Sequence, residues 1–351
     1  MATNDRIFYA CQAVAIAKNG HYVNPTTIKA GTAAVMRGVQ SVGITSNFNL
    51  EQVFEFGQIQ IYENIETVAD IEVTCEKVID GNRLLYLQAV GAAGETGLSG
   101  ASKSKCDVYL AIYDDGVDQV ADTAEAHVVM CSGMTVSSVS YTYPVDGNAT
   151  ESVTLVGNDK FWDGFLGGAG GPARPDLMYA PTGAAAYEQE RGPDGTDLPV
   201  SGVVRRINFD VTNSNMPSDV ETQGPATSRH YQNVSVSADF GREELTELGR
   251  FGPYVRYASF PFEVSCEIEV MATSGDLINV SGAGTNLSAH QITIKDTAGT
   301  VLNLGAQNKL TSVSYTGGDT GGGNASITYS YSTFNDLSVK GGASGIVYWP
   351  A

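Results

Sequence analysis

The chain has 351 residues, of which 42% are hydrophobic and only 17% charged, and its 39 acidic against 20 basic side chains give a net charge of −19. That balance excludes a surface that grips nucleic acid through clustered Lys and Arg, and no run approaches the roughly 18 apolar residues of a membrane helix. The length suits two or three domains of roughly 100–200 residues each, and the abundance of Gly, Ser, Thr and Val favours β-structure over helix bundles.

The apolar run Ile7–Ala17 follows Asp5 and a single Arg6 and contains Gln12. It therefore reads as part of the fold rather than as a secretory leader. Residues 37–57 (RGVQSVGITSNFNLEQVFEFG) return at an offset of 192 as residues 229–249 (RHYQNVSVSADFGREELTELG). Arg37/Arg229, Gln40/Gln232, Val42/Val234, Phe48/Phe240, Glu51/Glu243, Glu55/Glu247 and Gly57/Gly249 are identical. Glu72-Val-Thr-Cys-Glu76 returns at an offset of 191 as Glu263-Val-Ser-Cys-Glu267. Ser137-Ser-Val-Ser-Tyr-Thr142 returns at an offset of 174 as Thr311-Ser-Val-Ser-Tyr-Thr316, and Gly147-Asn-Ala149 returns as Gly323-Asn-Ala325. Matches in one order mean a duplicated domain and a pseudo-symmetric building block. The expected division is a first domain over 1–160, a Gly/Pro-rich linker or insertion over 161–202, and a second domain over 203–351.

Within each copy the pattern is β. Gln232–Phe240 alternates, with Val234, Val236, Ala238 and Phe240 on one side. Gly241–Gly249 follows, with Leu245 and Leu248 three apart, early glutamates and a closing glycine, and predicts a short helix. Glu263–Val270 alternates strictly, with Val264, Cys266, Ile268 and Val270 opposite Glu263, Ser265, Glu267 and Glu269. Asp107–Tyr113 runs into Asp114-Asp-Gly116, a hairpin signal. Each copy is expected to be a mainly β, antiparallel sandwich or barrel with one short α-helix.

Reactive constellations are missing. The chain has no Gly-x-Ser-x-Gly elbow and no His-Glu-x-x-His. Gly317–Gly323 lacks the Gly-Lys-Ser/Thr of a phosphate cradle, and Asp114-Asp115 and Asp194/Asp197 do not fit a calcium loop. The carboxylates Glu51 and Glu243-Glu244 have no recurring His or Lys base. Cys11, Cys75, Cys106, Cys131 and Cys266 are widely spaced, so no zinc site is expected. Cys75 and Cys266 take the same place in the two copies and read as small buried apolar residues; the alternative is an inter-subunit disulfide. No catalytic residue, cofactor or metal is therefore expected, and the chain does not read as an enzyme.

The repeated segment carries a scaffold. Glu51 and Glu55 in the first copy, and Arg242, Glu243, Glu244, Arg250, Tyr254, Arg256 and Tyr257 in the second, are the expected subunit contacts, since Arg and Tyr are favoured at interfaces. Read from Val234 through Arg242-Glu-Glu-Leu, Leu248-Gly-Arg250, Gly252-Pro-Tyr254 and Phe260-Pro-Phe262 to Val264, the second copy resembles the tail tube proteins (major tail proteins) of long-tailed bacteriophages. The first copy departs where Gln58-Ile-Gln-Ile61 replaces Arg250-Phe-Gly-Pro253.

The resemblance implies a β-sandwich or barrel with a helix, stacked as rings around a lumen that carries the genome. A duplicated member needs three chains for a pseudo-sixfold ring. It further implies assembly in the host cytoplasm and a place in the virion tail. The implied partners are further copies of itself, the tape measure, terminator, baseplate or tip proteins, a sheath where one exists, and genomic DNA as passing cargo, with no membrane. The polar strand face of Glu72, Thr74, Glu76, Glu263, Ser265, Glu267 and Glu269 is expected to line the lumen, because an acidic wall repels DNA. The alternative reading is a carbohydrate-binding or host-adhesion β-sandwich of the virion, hinted at by Trp162 and Tyr187.

Overall fold

A computed structural model describes residues 7–19, 33–91, 95–115, 127–162, 202–221, 229–282, 287–318 and 323–341. Most of the expected linker, 163–201, including Tyr187, Asp194 and Asp197, lies outside the described residues.

The first half contains β1 (Gln12–Lys18), β2 (Ala33–Val35), β3 (Val39–Asn47), β4 (Leu50–Phe54), β5 (Ile61–Glu66), β6 (Asp70–Val78), α1 (Leu85–Val90), β7 (Thr96–Gly97), α2 (Leu98–Ala101), β8 (Cys106–Ile112), β9 (His127–Pro144), β10 (Thr150–Gly157) and β11 (Asp159–Trp162). The second contains α3 (Ser218–Glu221), β12 (Tyr231–Asp239), β13 (Arg242–Leu245), β14 (Val255–Ala258), β15 (Glu263–Met271), β16 (Thr293–Lys295), β17 (Val301–Asn303), β18 (Lys309–Thr316), β19 (Ser326–Phe334) and β20 (Ser338–Lys340).

The main layer is an antiparallel path in the order β18-β19-β15-β12-β9-β10-β6-β3. The sequence echoes fall on matching strands: β3 with β12, β6 with β15, the second part of β9 with β18, and β10 with β19. Each copy thus contributes four strands in the same internal order. The sheet stays open, and its two end strands are β3 and β18.

Alternation sets the two faces of this sheet. Val73 and Cys75 of β6, Val264, Cys266, Ile268 and Val270 of β15, and Tyr329 and Tyr331 of β19 all point into one core. A second layer covers that face. In the first half it is α1 with β1 and β8; in the second it is the small sheet β16-β17-β20-β7. β9 links the layers, because its start pairs with β8 and β11 while its end pairs with β10 and β12. The expected Asp107–Tyr113 strand is β8, antiparallel to β9, and Gly116 of its expected turn lies outside the described residues. The architecture is mainly β and antiparallel, consistent with a β-sandwich and without a closed barrel.

The helix expected over Gly241–Gly249 is instead a strand and a turn. Arg242, Glu243, Glu244 and Leu245 pair with Ala258, Tyr257, Arg256 and Val255. A nine-residue stretch bounded by glycines is too short for a stable helix unless one face packs. Leu248, which completes the three-residue spacing, is fully exposed, and Gly241 and Gly249 both have positive φ. Cross-strand pairing therefore wins over local helix propensity. α1 arises elsewhere, where buried Glu151 accepts hydrogen bonds from the backbone N–H groups of Leu85 (2.6 Å) and Tyr86 (3.0 Å) and from the Tyr141 hydroxyl (3.1 Å). The carboxyl thus satisfies N–H groups that the first turn of a helix leaves without partners. The second copy has Ile327 at this position and no helix there among the described residues.

Candidate functional site

The two copies meet at a junction built from three contacts. The first is the β12–β9 ladder, which sets Val234, Val236 and Ala238 beside Tyr143, Tyr141 and Val139 on the core face. All six are buried. The ladder is extended by the Phe240 N–H donating to Ser137 O at 2.8 Å.

The second is the β13–β14 hairpin of the second half, which lies over the first. Arg242 donates through Nε to Val136 O and through Nη1 to Ser102 O, both at 2.6 Å, and its guanidinium sits 5.1 Å from the Phe240 ring centroid. Burial pulls the Arg242 guanidinium down to about 10, partly offset by the Tyr86 hydroxyl. Arg256 donates to Asp70 (3.2 Å) and Asn158 (3.3 Å) of the first half and is ion-paired to Glu244. Asn158 in turn donates to Ala69 O. Charge-assisted bonds of this kind are the stronger class and fix orientation as well as contact.

The third contact is a strand exchange between the halves. β7 of the first half pairs with β20 of the second, with Val339 opposite Thr96 and the Leu98 N–H on Leu337 O.

Among the described residues, the two ends of the sheet are the unpartnered versions of this junction. β18 repeats the sequence of the end of β9, yet Tyr315 is 54% exposed where Tyr141 is 0% exposed. β3 repeats β12, and its apolar residues Val42 and Ile44 are only partly buried, where Val234 and Val236 are buried. Just beyond β3, Phe48 is 75% exposed where its counterpart Phe240 is 1% exposed. Both strands keep the same face assignment as the junction strands: Ile44 opposes Val73, and Val313 and Tyr315 oppose Tyr329 and Ile327. An exposed sheet edge with apolar side chains is a template for pairing with another chain.

The other face of the sheet is polar, and among the described residues no second layer covers it. Glu72, Thr74 and Glu76 stand on it, opposite Val156, Thr154 and Ser152 on one side and Thr45, Gly43 and Ser41 on the other. Glu263, Ser265, Glu267 and Glu269 share it, opposite Phe334, Ser332, Ser330 and Thr328. Across the junction it continues through Ser138, Ser140, Thr142, Ser235 and Ser237. Among the described residues, no Lys or Arg stands on this face between its margins, which Arg256 and Lys309 occupy.

The structure brings some of the expected contact residues together and separates others. Arg242, Glu244 and Arg256 gather at the junction within the chain. Glu243 and Tyr257 are a cross-strand pair on the hairpin's outer surface, with Tyr254 beside Tyr257. Arg250 is ion-paired with Glu247, at 3.7 Å, near the hairpin tip. Glu51 lies on the β4–β5 hairpin and Glu55 at its tip, both exposed. The free edges β3 and β18, and the receiving residues Asp70, Asn158 and Ser102, are absent from the sequence-based expectations. The Ser137–Thr142 echo carried the signal for β18, but a repeated strand does not reveal that one copy is paired and the other is not.

All five cysteines are free and buried, so in this chain none is placed for a disulfide to another subunit. Burial pushes the Cys75 and Cys266 thiols up to about 12. Among the described residues, no group of His, Cys, Asp and Glu could hold a metal ion, and no helix is long and apolar enough to cross a membrane.

No protein-family model matches the chain, and no curated protein matches it. Among solved structures, a chain of the anti-feeding prophage baseplate, determined by electron cryo-microscopy with sixfold symmetry applied, is similar over 46% of this chain and 97% of its own length. The identity is 10% and the TM-score 0.32, a likeness too distant to carry a functional argument.

Proposed function

We propose that this chain is a structural tail protein of a phage-like particle and forms the tail tube: three chains join head to tail into a ring of six quasi-equivalent domains. The observation that supports this reading is the match between the buried β12–β9 junction and the free β3 and β18 edges. Applying the in-chain register to those edges sets Ile44 of one chain opposite Tyr315 of the next, and Ser46 opposite Val313, with apolar sides facing alike. Such a contact is heterologous, so repeating it either closes a ring or grows a filament. Closure removes both exposed edges of every chain at once.

The second layer covers the apolar face, which leaves the polar face free for the lumen. Glu72, Glu76, Glu263, Glu267 and Glu269 then present carboxylates to passing DNA, and the Ser and Thr between them give a wall that neither grips phosphates nor binds bases. Native mass spectrometry with negative-stain microscopy tests the reading. Hollow rings of three chains support it. Rings of six chains, or a chain that stays monomeric at high concentration, refute it.

A further inference from the structure

We infer that a basic cavity at the start of β12 is a socket for the tip of the β4–β5 hairpin of a second copy of this chain. The inference rests on the ring reading above and adds a contact between rings, which the edge strands do not supply.

The cavity encloses about 200 Å³ beside the in-chain junction. Tyr143, Phe209 and Tyr231 form an aromatic cluster in its wall, with ring centroids 5.6 and 6.1 Å apart in turn. Arg205, Arg206 and Arg229 converge on it, and no Asp or Glu lines it among the described residues. Glu221 pairs with Arg229 at 3.0 Å, and Arg205 donates through Nε to Asn148 at 3.1 Å. The exposed Arg206 has no hydrogen bond or ion pair among the described residues. Two of the three guanidinium charges thus lack a carboxylate partner, in a chain whose net charge is −19. The volume lies below the roughly 300–1,000 Å³ of a small-molecule pocket and suits a single side chain.

The β4–β5 hairpin carries a group of that chemistry. At its tip the Gln58 N–H donates to Glu55 O at 3.2 Å, and the Gln58 side chain donates to Glu55 Oε2 at 2.7 Å. Gly57 has a φ of +92°, as the third place of such a turn requires, and this sets Phe56 at the apex. Phe56 is fully exposed, and every residue of β5 is exposed, so the tip stands clear of its own chain. Residues 50–66 hold Glu51, Glu55, Glu63 and Glu66 and no Lys or Arg. An aromatic anchor in an aromatic cavity, rimmed by carboxylate and guanidinium, is the usual make-up of a strong contact. The other hairpin does not match. Residues 242–258 balance three glutamates with three arginines, and Arg250 stands where Gln58 stands in the first copy.

Strand direction makes the contact head to tail. Antiparallel pairing at each step from β12 through β9, β10 and β6 to β3 leaves β12 and β3 pointing the same way. The cavity adjoins the start of β12 and the hairpin follows the end of β3, so they lie on opposite rims of the sheet. A nine-residue strand separates those rims by roughly 30 Å. The occupant is therefore a second copy, and a contact between opposite rims repeats along the strand direction as a stack.

The test is charge reversal and rescue, read by sedimentation velocity and negative stain on the full chain. Glu55, Phe56 and Arg206 are exposed in the single chain, so their substitution leaves the dilute chain's melting temperature unchanged. Unsubstituted rings should stack, and less so as salt rises. Glu55→Arg should leave single rings intact but raise the concentration needed for stacking about tenfold or more, because it sets like charges together. Arg206→Glu and Phe56→Ala should each give a similar loss. Combining Glu55→Arg with Arg206→Glu should restore stacking to within about threefold. Stacking that Glu55→Arg leaves unchanged, or a loss that Arg206→Glu does not rescue, overturns the socket while leaving the ring reading intact. A loss with Arg206→Glu but none with Glu55→Arg would give the cavity another occupant and equally overturn it. Rings that fail to close with Glu55→Arg would place the tip inside the ring, against the inference. Absence of rings in the unsubstituted chain overturns both.

Discussion

Replacing Tyr315 with Ser tests the edge pairing directly, because the chain contains its own reference state. Tyr315 is 54% exposed, while Tyr141, at the same place in the paired copy, is 0% exposed. A tyrosine side chain buries on the order of 200 Å², so pairing the edge removes roughly 100 Å² of Tyr315 from water. At about 25 cal/mol per Å², and allowing for the atoms that Ser retains, the loss is about 2 kcal/mol per junction. A closed ring of three chains has three junctions, so the assembly loses about 6 kcal/mol, and the concentration at half-assembly rises roughly 100-fold. Sedimentation velocity over a dilution series reads that midpoint. A shift of less than about threefold refutes the pairing. So does a fall in the melting temperature of the dilute chain, since it would mean that Tyr315 is already packed within the monomer.

Three further outcomes follow from the site. Glu267→Lys with Glu269→Lys should leave rings intact but make them retain duplex DNA at low salt and release it as salt rises; unsubstituted rings should retain none in a filter-binding assay, and retention by them would contradict the channel assignment. Arg256→Ala leaves Asp70 and Glu244 without their shared guanidinium and should cost about 1–3 kcal/mol in urea unfolding, with the β13–β14 amides exchanging hydrogen faster than those of β12; equal exchange rates would show that Arg256 does not hold the hairpin. Glu151→Gln sets an amide NH₂ against backbone N–H donors and should cost about 1–3 kcal/mol. Burial raises the Glu151 carboxyl, opposed by the Tyr86 N–H, Lys77, the Leu85 N–H and the Tyr141 hydroxyl. A raised folded-state value means that the protonated form is favoured by folding, so this group's contribution falls as pH climbs from the unfolded value of about 4.3 through the folded one. The deficit of Glu151→Gln should therefore shrink as pH rises; a deficit that grows with pH would reverse the assignment.

The strands were legible in the sequence because their period is strict. Glu263–Val270 alternates without a break, and the structure puts its valines, Cys266 and Ile268 in the core and its glutamates on the polar face. The sequence echoes fall on four pairs of strands that hold corresponding places in the sheet order. The hairpin was misread for a physical reason. Glu243-Glu244-Leu245 satisfies helix signals locally, but its partner Val255–Ala258 lies across a turn, and local propensity carries no information about that partner. The polar core was hidden in a similar way. Glu151 sits in an alternating strand where periodicity expects an apolar side chain, as Ile327 shows in the other copy. Only the fold reveals that Leu85 and Tyr86 present N–H groups to it.

The differences between the copies are as informative as the likenesses. A chain assembled from two identical halves would have interchangeable edges, and any half could pair with any other. Here the junction inside the chain is polar at Arg242, Arg256, Asp70 and Asn158, while strand register puts Leu50, Asn64, Glu263 and Phe334 at the corresponding places of the free ends. A polar seat suits a contact that forms while one chain folds, because the high local concentration of a tethered half offsets the desolvation of its charges. The free ends expose Phe48, Leu50, Tyr315 and Phe334, and burial of such side chains supplies the driving force for a contact between separate chains. Duplication followed by this division lets one sequence fold first and assemble second. On that argument, exchanging Arg242 and Arg256 with Leu50 and Asn64 should trap the chain as open or mispaired oligomers even though every strand still forms.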